Sequence, residues 1–215
     1  MNIIFTFLLI LITGNLTGQK LIDSLEATGR LDSLKIYFSK NKKINTTYDL
    51  EIFTALSYYP ELANTRITIK NAKIKTTLNA RPTILSTFIR KRTKRKYVIR
   101  INNKKLDSII QFEDISFNAK IGVLGHEFAH IYDYNKRSFF GIIKRLTAYT
   151  TAKSKSRFEK EIDSITIERG LGYKLLEWAN YVLHESNATE SYKQFKKDTY
   201  LTPEEISRKL QEIKP

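Results

Sequence analysis

The feature that most constrains this chain is a His-Glu-x-x-His motif at residues 126–130, inside an apolar segment with helical periodicity at residues 117–134. On a helix, side chains four residues apart lie on one face, so His126 and His130 can bind a single metal ion while Glu127 lies beside them. A pair of neutral imidazoles suits zinc, and a neighbouring carboxylate can accept a proton from water. The motif therefore predicts a zinc site on a core helix.

The same predicted helix carries small residues at Gly122, Gly125 and Ala129. Glycine costs a helix about 1 kcal/mol relative to alanine, so two glycines in one core helix need a compensating reason. We expect another stretch of backbone to pack closely against them.

Two histidines do not complete a catalytic zinc site, which usually takes three protein ligands. A metzincin pattern would place glycine at position 133 and histidine at position 136, where this chain has Asp133 and Lys136, so that class is excluded. A carboxylate from a later helix remains. Glu159 and Asp163 are four residues apart, so Glu159 could bind zinc while Asp163 accepts the second N–H of a ligating histidine.

Glu161 and Glu168 are the competing carboxylates in the same region. Glu161 lies about 200° around the helix from Glu159, so the two cannot face one metal ion together. The partnership with Asp163 favours Glu159.

At His126, Glu127, His130, Glu159 and Asp163 the sequence resembles the gluzincin metallopeptidases. It is most similar to those in which H-E-x-x-H is followed by E-x-x-x-D, such as the CAAX prenyl protease-like and related small bacterial peptidases. The resemblance implies zinc ligation by the two histidines and Glu159, a general-base role for Glu127, and an orienting role for Asp163. It also implies a zincin-like α+β fold, with a small mixed sheet followed by an active-site helix and a ligand helix.

Alternation of apolar and polar residues predicts three strands ahead of the motif, at residues 66–70, 73–80 and 96–101, with Asn71 in the turn between the first two. An exposed strand edge can pair with an extended peptide through backbone hydrogen bonds. Our candidate for this substrate edge, with an ordinary interior strand as the alternative, is the segment Thr76, Thr77, Leu78, Asn79 and Ala80.

Several other segments are predicted to be helical. We expect polar loops or turns at residues 41–47, 133–138 and 150–156. The predicted helical segments are residues 20–43, 48–59, 139–149, 158–184 with a break at the glycines of 170–172, and 203–212 after a capping-box sequence. Residues 139–149 could instead form one wall of the cleft.

A peptidase also needs a hydrogen-bond donor for the oxygen of the attacked carbonyl. His184, Tyr173 and Tyr181 are candidates on the predicted helix at residues 158–184. A histidine at a helix end can equally cap backbone carbonyls or face water, which is the competing interpretation of His184.

The first 18 residues predict a signal peptide, because an apolar run at residues 3–12 is followed by small and polar residues. The run is shorter than the ~20 residues that span a bilayer, but no Lys or Arg precedes it, so an uncleaved N-terminal anchor is the alternative. We expect an exported protein (periplasmic, envelope-associated or secreted) with one metallopeptidase domain at residues 19–215.

The net charge is +15 and the chain has no cysteine, so disulfides and thiolate zinc sites are excluded. An exported chain of this charge suggests an anionic envelope surface as partner, and a solvated lysine-rich surface is the alternative. The densest basic run, residues 90–96, falls in a predicted hairpin connection and lacks interleaved aromatic residues. It therefore favours a solvated loop, with anionic lipid or polymer contact next and nucleic acid disfavoured.

Together these features predict a zinc-dependent endopeptidase that acts on a peptide or protein substrate. The alternative is a non-catalytic binding module of the same fold that holds peptides or anionic envelope polymers.

Overall fold

The computed structural model describes residues 20–104 and 109–213, which form an α+β fold around one hydrophobic core, as predicted. The strands are β1 (Lys42–Asn45), β2 (Arg66–Ala72), β3 (Leu78–Pro82) and β4 (Lys96–Asn102). The helices are α1 (Ser24–Phe38), α2 (Asp49–Leu56), α3 (Ile84–Ile89), α4 (Phe117–Lys136), α5 (Phe139–Thr147), α6 (Ala152–Thr166), α7 (Gly172–Asn180), α8 (Glu190–Thr199) and α9 (Pro203–Ile213). Two π-helical turns, Ile167–Leu171 and Tyr181–Glu185, follow α6 and α7.

The four strands form one mixed sheet in the order β1-β2-β4-β3. β1 pairs in parallel with β2 and β2 with β4, whereas β3 pairs antiparallel with β4 at the edge. Ile67, Ile69, Ile99 and Ile101 from the two central strands enter the core, and β3 packs against α4. The sheet therefore covers the helix that carries the His-Glu-x-x-His motif.

α4 is the central helix of the molecule. Its N-terminus is capped by Ser116, whose hydroxyl accepts a hydrogen bond from the amide of Ala119, and most of its length is buried. The predicted close packing at the glycines is confirmed. A Cβ on Gly122 would overlap the backbone carbonyl of Lys174 in α7, and one on Gly125 would meet the side chain of Leu171.

The predicted break in the long C-terminal helix is also confirmed. Gly170 has a φ of +88°, a conformation that side-chain-bearing L-residues rarely adopt, and it separates α6 from α7. This break turns α7 back along α4, so α6 and α7 both pack against the central helix.

Three loop predictions were wrong. Residues 41–47 contain β1, which is paired with β2 and tied down by Lys42, whose ammonium donates to the carbonyls of Leu62, Ala63 and Thr65. α6 starts inside the predicted loop at 150–156, because Thr151 caps its first turn. α4 continues through the predicted turn at 133–138 as far as Lys136.

Two strand boundaries also differ from the prediction. β2 includes Asn71, which was predicted to be a turn residue, and β3 begins at Leu78 rather than at position 73. The terminal helix starts as predicted: Thr202 and Glu205 exchange the two hydrogen bonds of a capping box. The predicted signal peptide or anchor at residues 1–18 lies outside the described residues. Within the described part of the chain, no helix is long and apolar enough to cross a membrane.

Candidate metal centre

Three side chains predicted as zinc ligands converge at the middle of the molecule. His126 Nε2 lies 3.1 Å from His130 Nε2 and 3.1 Å from Glu159 Oε2, and His130 Nε2 lies 3.2 Å from the same oxygen. Adjacent turns of α4 supply the histidines, and α6 supplies the carboxylate. All three residues are only 3 to 5% exposed. This buried group could hold a metal ion.

Asp163, the residue predicted to accept the second N–H of a ligating histidine, lies against His126. Its Oδ1 lies 2.7 Å from His126 Nδ1, and its Oδ2 accepts a hydrogen bond of 2.9 Å from the amide of Leu201. Donation from Nδ1 leaves the Nε2 lone pair of His126 directed at the ligand group. The chain entering α9 thus helps to hold the imidazole in place.

Glu159 is held by Tyr149, whose hydroxyl donates a hydrogen bond of 2.8 Å to Oε1. The other oxygen, Oε2, is the one that faces both histidines. The competing carboxylates do not join the group: Glu161 pairs with Arg145, and Glu168 is exposed on the π-helical turn after α6. The structure therefore brings together the ligand set that contains Glu159.

The electrostatics of the group favour a bound positive charge. Burial lowers the pKa of His126, but the hydrogen bonds and charges of Asp163 and Glu159 outweigh it and raise the pKa to about 10. For Glu159 burial acts in the opposite direction and raises the pKa, but the two histidines outweigh it and bring the pKa well below its ordinary value. A positive charge at the two imidazoles therefore stabilises the buried carboxylates of Glu159 and Asp163.

The donor chemistry fits a zinc ion. Two imidazole nitrogens and one carboxylate oxygen are a common catalytic zinc set, and ligand atoms about 2 Å from a tetrahedral ion lie roughly 3.3 Å apart, close to the observed separations. Within the described residues, two further buried atoms at this site have no hydrogen-bond partner, His130 Nδ1 and Glu127 Oε2. Instead, the His130 ring is held by aromatic contacts with Tyr134 and Phe158.

Glu127 lies at the wall of a pocket beside the ligand group. Burial raises the pKa of its carboxyl, and the neighbouring histidines oppose the shift. The pocket has a cavity volume of about 50 Å³ and opens partly to solvent. Its lining combines His126, Glu127 and Asp163 with the edge-strand region (Thr77, Leu78) and an apolar wall that includes Leu175, Trp178, Val182, Leu183, Leu201 and Ile206.

The predicted substrate edge lies at this pocket. Within the described residues β3 has a strand partner on one side only, and Thr77 and Leu78 line the pocket. Thr76 and Thr77 precede the strand, and their hydroxyls donate to the carbonyls of Leu78 and Ile110. Farther along β3, Asn79 accepts a hydrogen bond from Arg100, while Ala80 pairs with Ile99.

The three predicted donors for the carbonyl oxygen are not part of this pocket. His184 is exposed on the π-helical turn Tyr181–Glu185 near Glu204, and neither Tyr173 nor Tyr181 lies among the lining residues. The break at Gly170 and the second π-helical turn, Tyr181–Glu185, direct these three side chains away from the pocket.

The structure instead places three residues at the site that sequence reasoning missed. Tyr149 bonds Glu159, Tyr200 packs its ring 5.6 Å from that of His126, and the ammonium of Lys196 lies 4.4 Å from the Tyr200 ring centre. Burial and the nearby carboxylates raise the pKa of the Tyr200 hydroxyl well above its ordinary value. The sequence signalled only Tyr149, at the end of the segment 139–149 that could form a wall of the cleft, and gave no signal for Tyr200 or Lys196.

Comparison of the chain with known protein families, with curated proteins and with solved structures found no match. The function is therefore inferred from the geometry of the site.

Proposed function

We propose that this protein is a zinc-dependent endopeptidase with a zincin-like fold. The observation that carries the proposal is the convergence of the His126, His130 and Glu159 ligand atoms, with the Glu127 carboxylate beside them at the wall of a pocket. The architecture supports it, because an edge strand packs against the motif helix. A purely structural metal site would have no use for the Glu127 carboxylate.

In this proposal, His126, His130 and Glu159 would hold a zinc ion, which when bound would supply Lewis-acid chemistry to a peptide carbonyl and to water. Glu127 removes a proton from the attacking water and passes it to the leaving amine. Asp163 holds His126 in the required tautomer, and Tyr149 fixes the orientation of Glu159. Tyr200 is the candidate donor to the oxygen of the attacked carbonyl, because it remains protonated and lies against His126.

The substrate in this proposal is an extended peptide that pairs with the open edge of β3. Backbone hydrogen bonds to an edge strand bind many sequences, because they do not involve side chains. The apolar wall of the pocket, which includes Leu78 and Trp178, would take an apolar side chain of the peptide.

The first test is the zinc content of the purified full chain, measured by elemental analysis after zinc has been offered. We expect about one zinc per wild-type chain. Glu159→Ala should lose most of it because it removes a ligand. Glu161→Ala is the matched control, since Glu161 lies on the same helix but pairs with Arg145. Absence of zinc from folded wild type would favour the non-catalytic binding module.

The second arm separates metal binding from catalysis. Glu127→Gln should keep its zinc and lose nearly all hydrolysis of a denatured protein substrate, because the amide cannot accept the proton. Tyr200→Phe should also keep zinc and lower kcat by roughly 10²-fold. Full activity in Glu127→Gln would refute the mechanism, and a zinc-loaded wild type without activity would refute the peptidase.

A further inference from the structure

The short helix α3 has its polar and apolar faces reversed relative to an ordinary surface helix. Its two hydroxyl residues are buried: Ser86 accepts a hydrogen bond from the amide of Lys96, and Thr87 donates to the carbonyl of Thr83. Its four large apolar residues face outward. A soluble surface helix shows the opposite pattern.

Together with one residue of α5, these side chains form an exposed surface that we call the apolar patch. The patch consists of Ile84, Leu85, Phe88, Ile89 and Phe140, which are 62 to 80% exposed. Phe139 joins its two parts, since its ring lies 4.9 Å from that of Phe88 and 5.4 Å from that of Phe140. Isolated exposed apolar residues are ordinary, but a group of five on adjoining helices marks an interaction surface.

Hydrogen bonds to the backbone hold the patch in place. Arg95 is buried and donates to the carbonyl of Arg137 at 2.7 Å, which ties the segment after α3 to the junction of α4 and α5. Arg92 donates to the neighbouring carbonyl of Lys136. The patch is therefore a preformed surface.

The exposed charged residues on the segments that carry the patch are all basic. Neither Asp nor Glu occurs between Glu61 and Asp107, a stretch that contains all of α3 and the basic run that follows it. Exposed basic side chains continue from this run onto the α4–α5 junction and α5. The exposed basic residues on these segments are Arg90, Lys91, Arg92, Lys94, Lys96, Lys136 and Lys144.

We infer that the apolar patch and its basic rim dock this protein on the surface of an anionic lipid bilayer. Outward aromatic and aliphatic side chains that enter the acyl boundary, with lysines and arginines at headgroup level, are the pattern of interfacial binding. A second copy of the chain is a poor occupant, because two basic rims would face one another and repel. The inference does not depend on the proposed peptidase activity.

Docking through this surface would also set the position of the pocket. β3 leads directly into α3, and α5 leads into the turn that carries Tyr149. The edge strand at the pocket and the turn that holds Glu159 are thus continuous with the docking surface, so substrates at the membrane would be favoured.

The test is cosedimentation of the full chain with vesicles of phosphatidylcholine alone, or with about a third of the lipid replaced by phosphatidylglycerol. Wild type should bind the anionic vesicles preferentially. Phe88→Ser with Phe140→Ser should bind them about tenfold more weakly. The matched control is Leu25→Ser with Ile36→Ser, which removes two equally exposed apolar residues from α1 and should bind like wild type.

Lysine substitutions test the role of the basic rim. Lys91→Gln with Lys94→Gln should weaken binding at low salt, whereas Lys40→Gln with Lys43→Gln, near the opposite edge of the sheet, should not. Equal binding by wild type and a folded patch variant would overturn the inference, as would equal binding to neutral and anionic vesicles. A patch variant that changes the molar mass in solution and leaves vesicle binding intact would assign the patch to a second copy instead.

Discussion

At the scale of single residues, the buried carboxylate of Asp133 joins three helices near the candidate metal centre. It accepts two hydrogen bonds from Arg137 and two from Arg145, and Arg145 also pairs with Glu161 on α6. Burial raises the pKa of Asp133, but the two guanidinium groups outweigh it and hold the pKa below its ordinary value. The ionised carboxylate therefore contributes to stability.

We expect Asp133→Asn to lower the free energy of unfolding at pH 7. Both arginines are partly exposed, so water screens the pairs, and we expect about 2 kcal/mol rather than the ~3–5 kcal/mol of a fully buried pair. Because the folded-state pKa is depressed, this stability is present above the ordinary pKa and is lost as the pH falls through the folded-state value.

Urea unfolding of wild type and variant at several pH values checks this prediction. The difference in free energy of unfolding between wild type and Asp133→Asn should become smaller below about pH 4. Asp32→Asn, at an exposed position, is the control and should change stability little at any pH. A difference in free energy of unfolding that stays constant with pH would show that the loss of stability does not come from the carboxylate charge.

The ligand residues could be predicted from the sequence because their geometry is local. His126 and His130 are one helical turn apart, as are Glu159 and Asp163, so helical periodicity alone places each pair on one face. Tyr149 and Tyr200 could not be found in this way. Their positions depend on where α5 ends and on how the chain enters α9, which are results of tertiary packing.

At the scale of secondary-structure elements, the crossing of α4 and α7 depends on Gly122. We expect Gly122→Ala to destabilise the fold by about 2–3 kcal/mol, because a methyl group there would push the helices apart. Gly29→Ala is the matched comparison. Gly29 lies in exposed α1, and no atom within 4 Å would meet the added Cβ.

Chemical denaturation of the two variants provides the measurement. Gly29→Ala should stabilise the protein by about 0.5–1 kcal/mol, because alanine favours the helix and restricts the unfolded chain. If Gly122→Ala also proved neutral or stabilising, the close crossing of α4 and α7 would be wrong.

Elements with strong periodicity or clear caps were predictable, and short ones were not. The motif helix and the capped C-terminal helix have signals within their own residues. β1 has only four residues, and its pairing with β2 depends on distant partners of Lys42. The start of α6 depends on Thr151, because the residues that follow lack a clear apolar stripe. The reversed faces of α3 likewise depend on packing, because buried Ser86 accepts a hydrogen bond from the amide of Lys96 in β4.

At the scale of the whole molecule, the candidate metal centre lies between α4 and α6. The histidines come from α4 and the carboxylate from α6, and Asp163 is tied to the chain before α9. An ion bound by all three ligands would bind the folded chain and not the unfolded one. Free zinc at about 100 times its dissociation constant should then stabilise the fold by ~2.7 kcal/mol.

For a chain of this size, that free energy corresponds to a rise in Tm of roughly 5–10 °C after chelation and readdition of zinc. Glu159→Ala should show little of this rise, whereas Glu161→Ala should show all of it, because only the first variant removes a ligand atom. Magnesium at the same concentration should have little effect, since it prefers an octahedral set of oxygen ligands. An equal rise in wild type and Glu159→Ala would place the zinc elsewhere on the protein, and the ligand set would have to be abandoned even if the chain hydrolyses peptides.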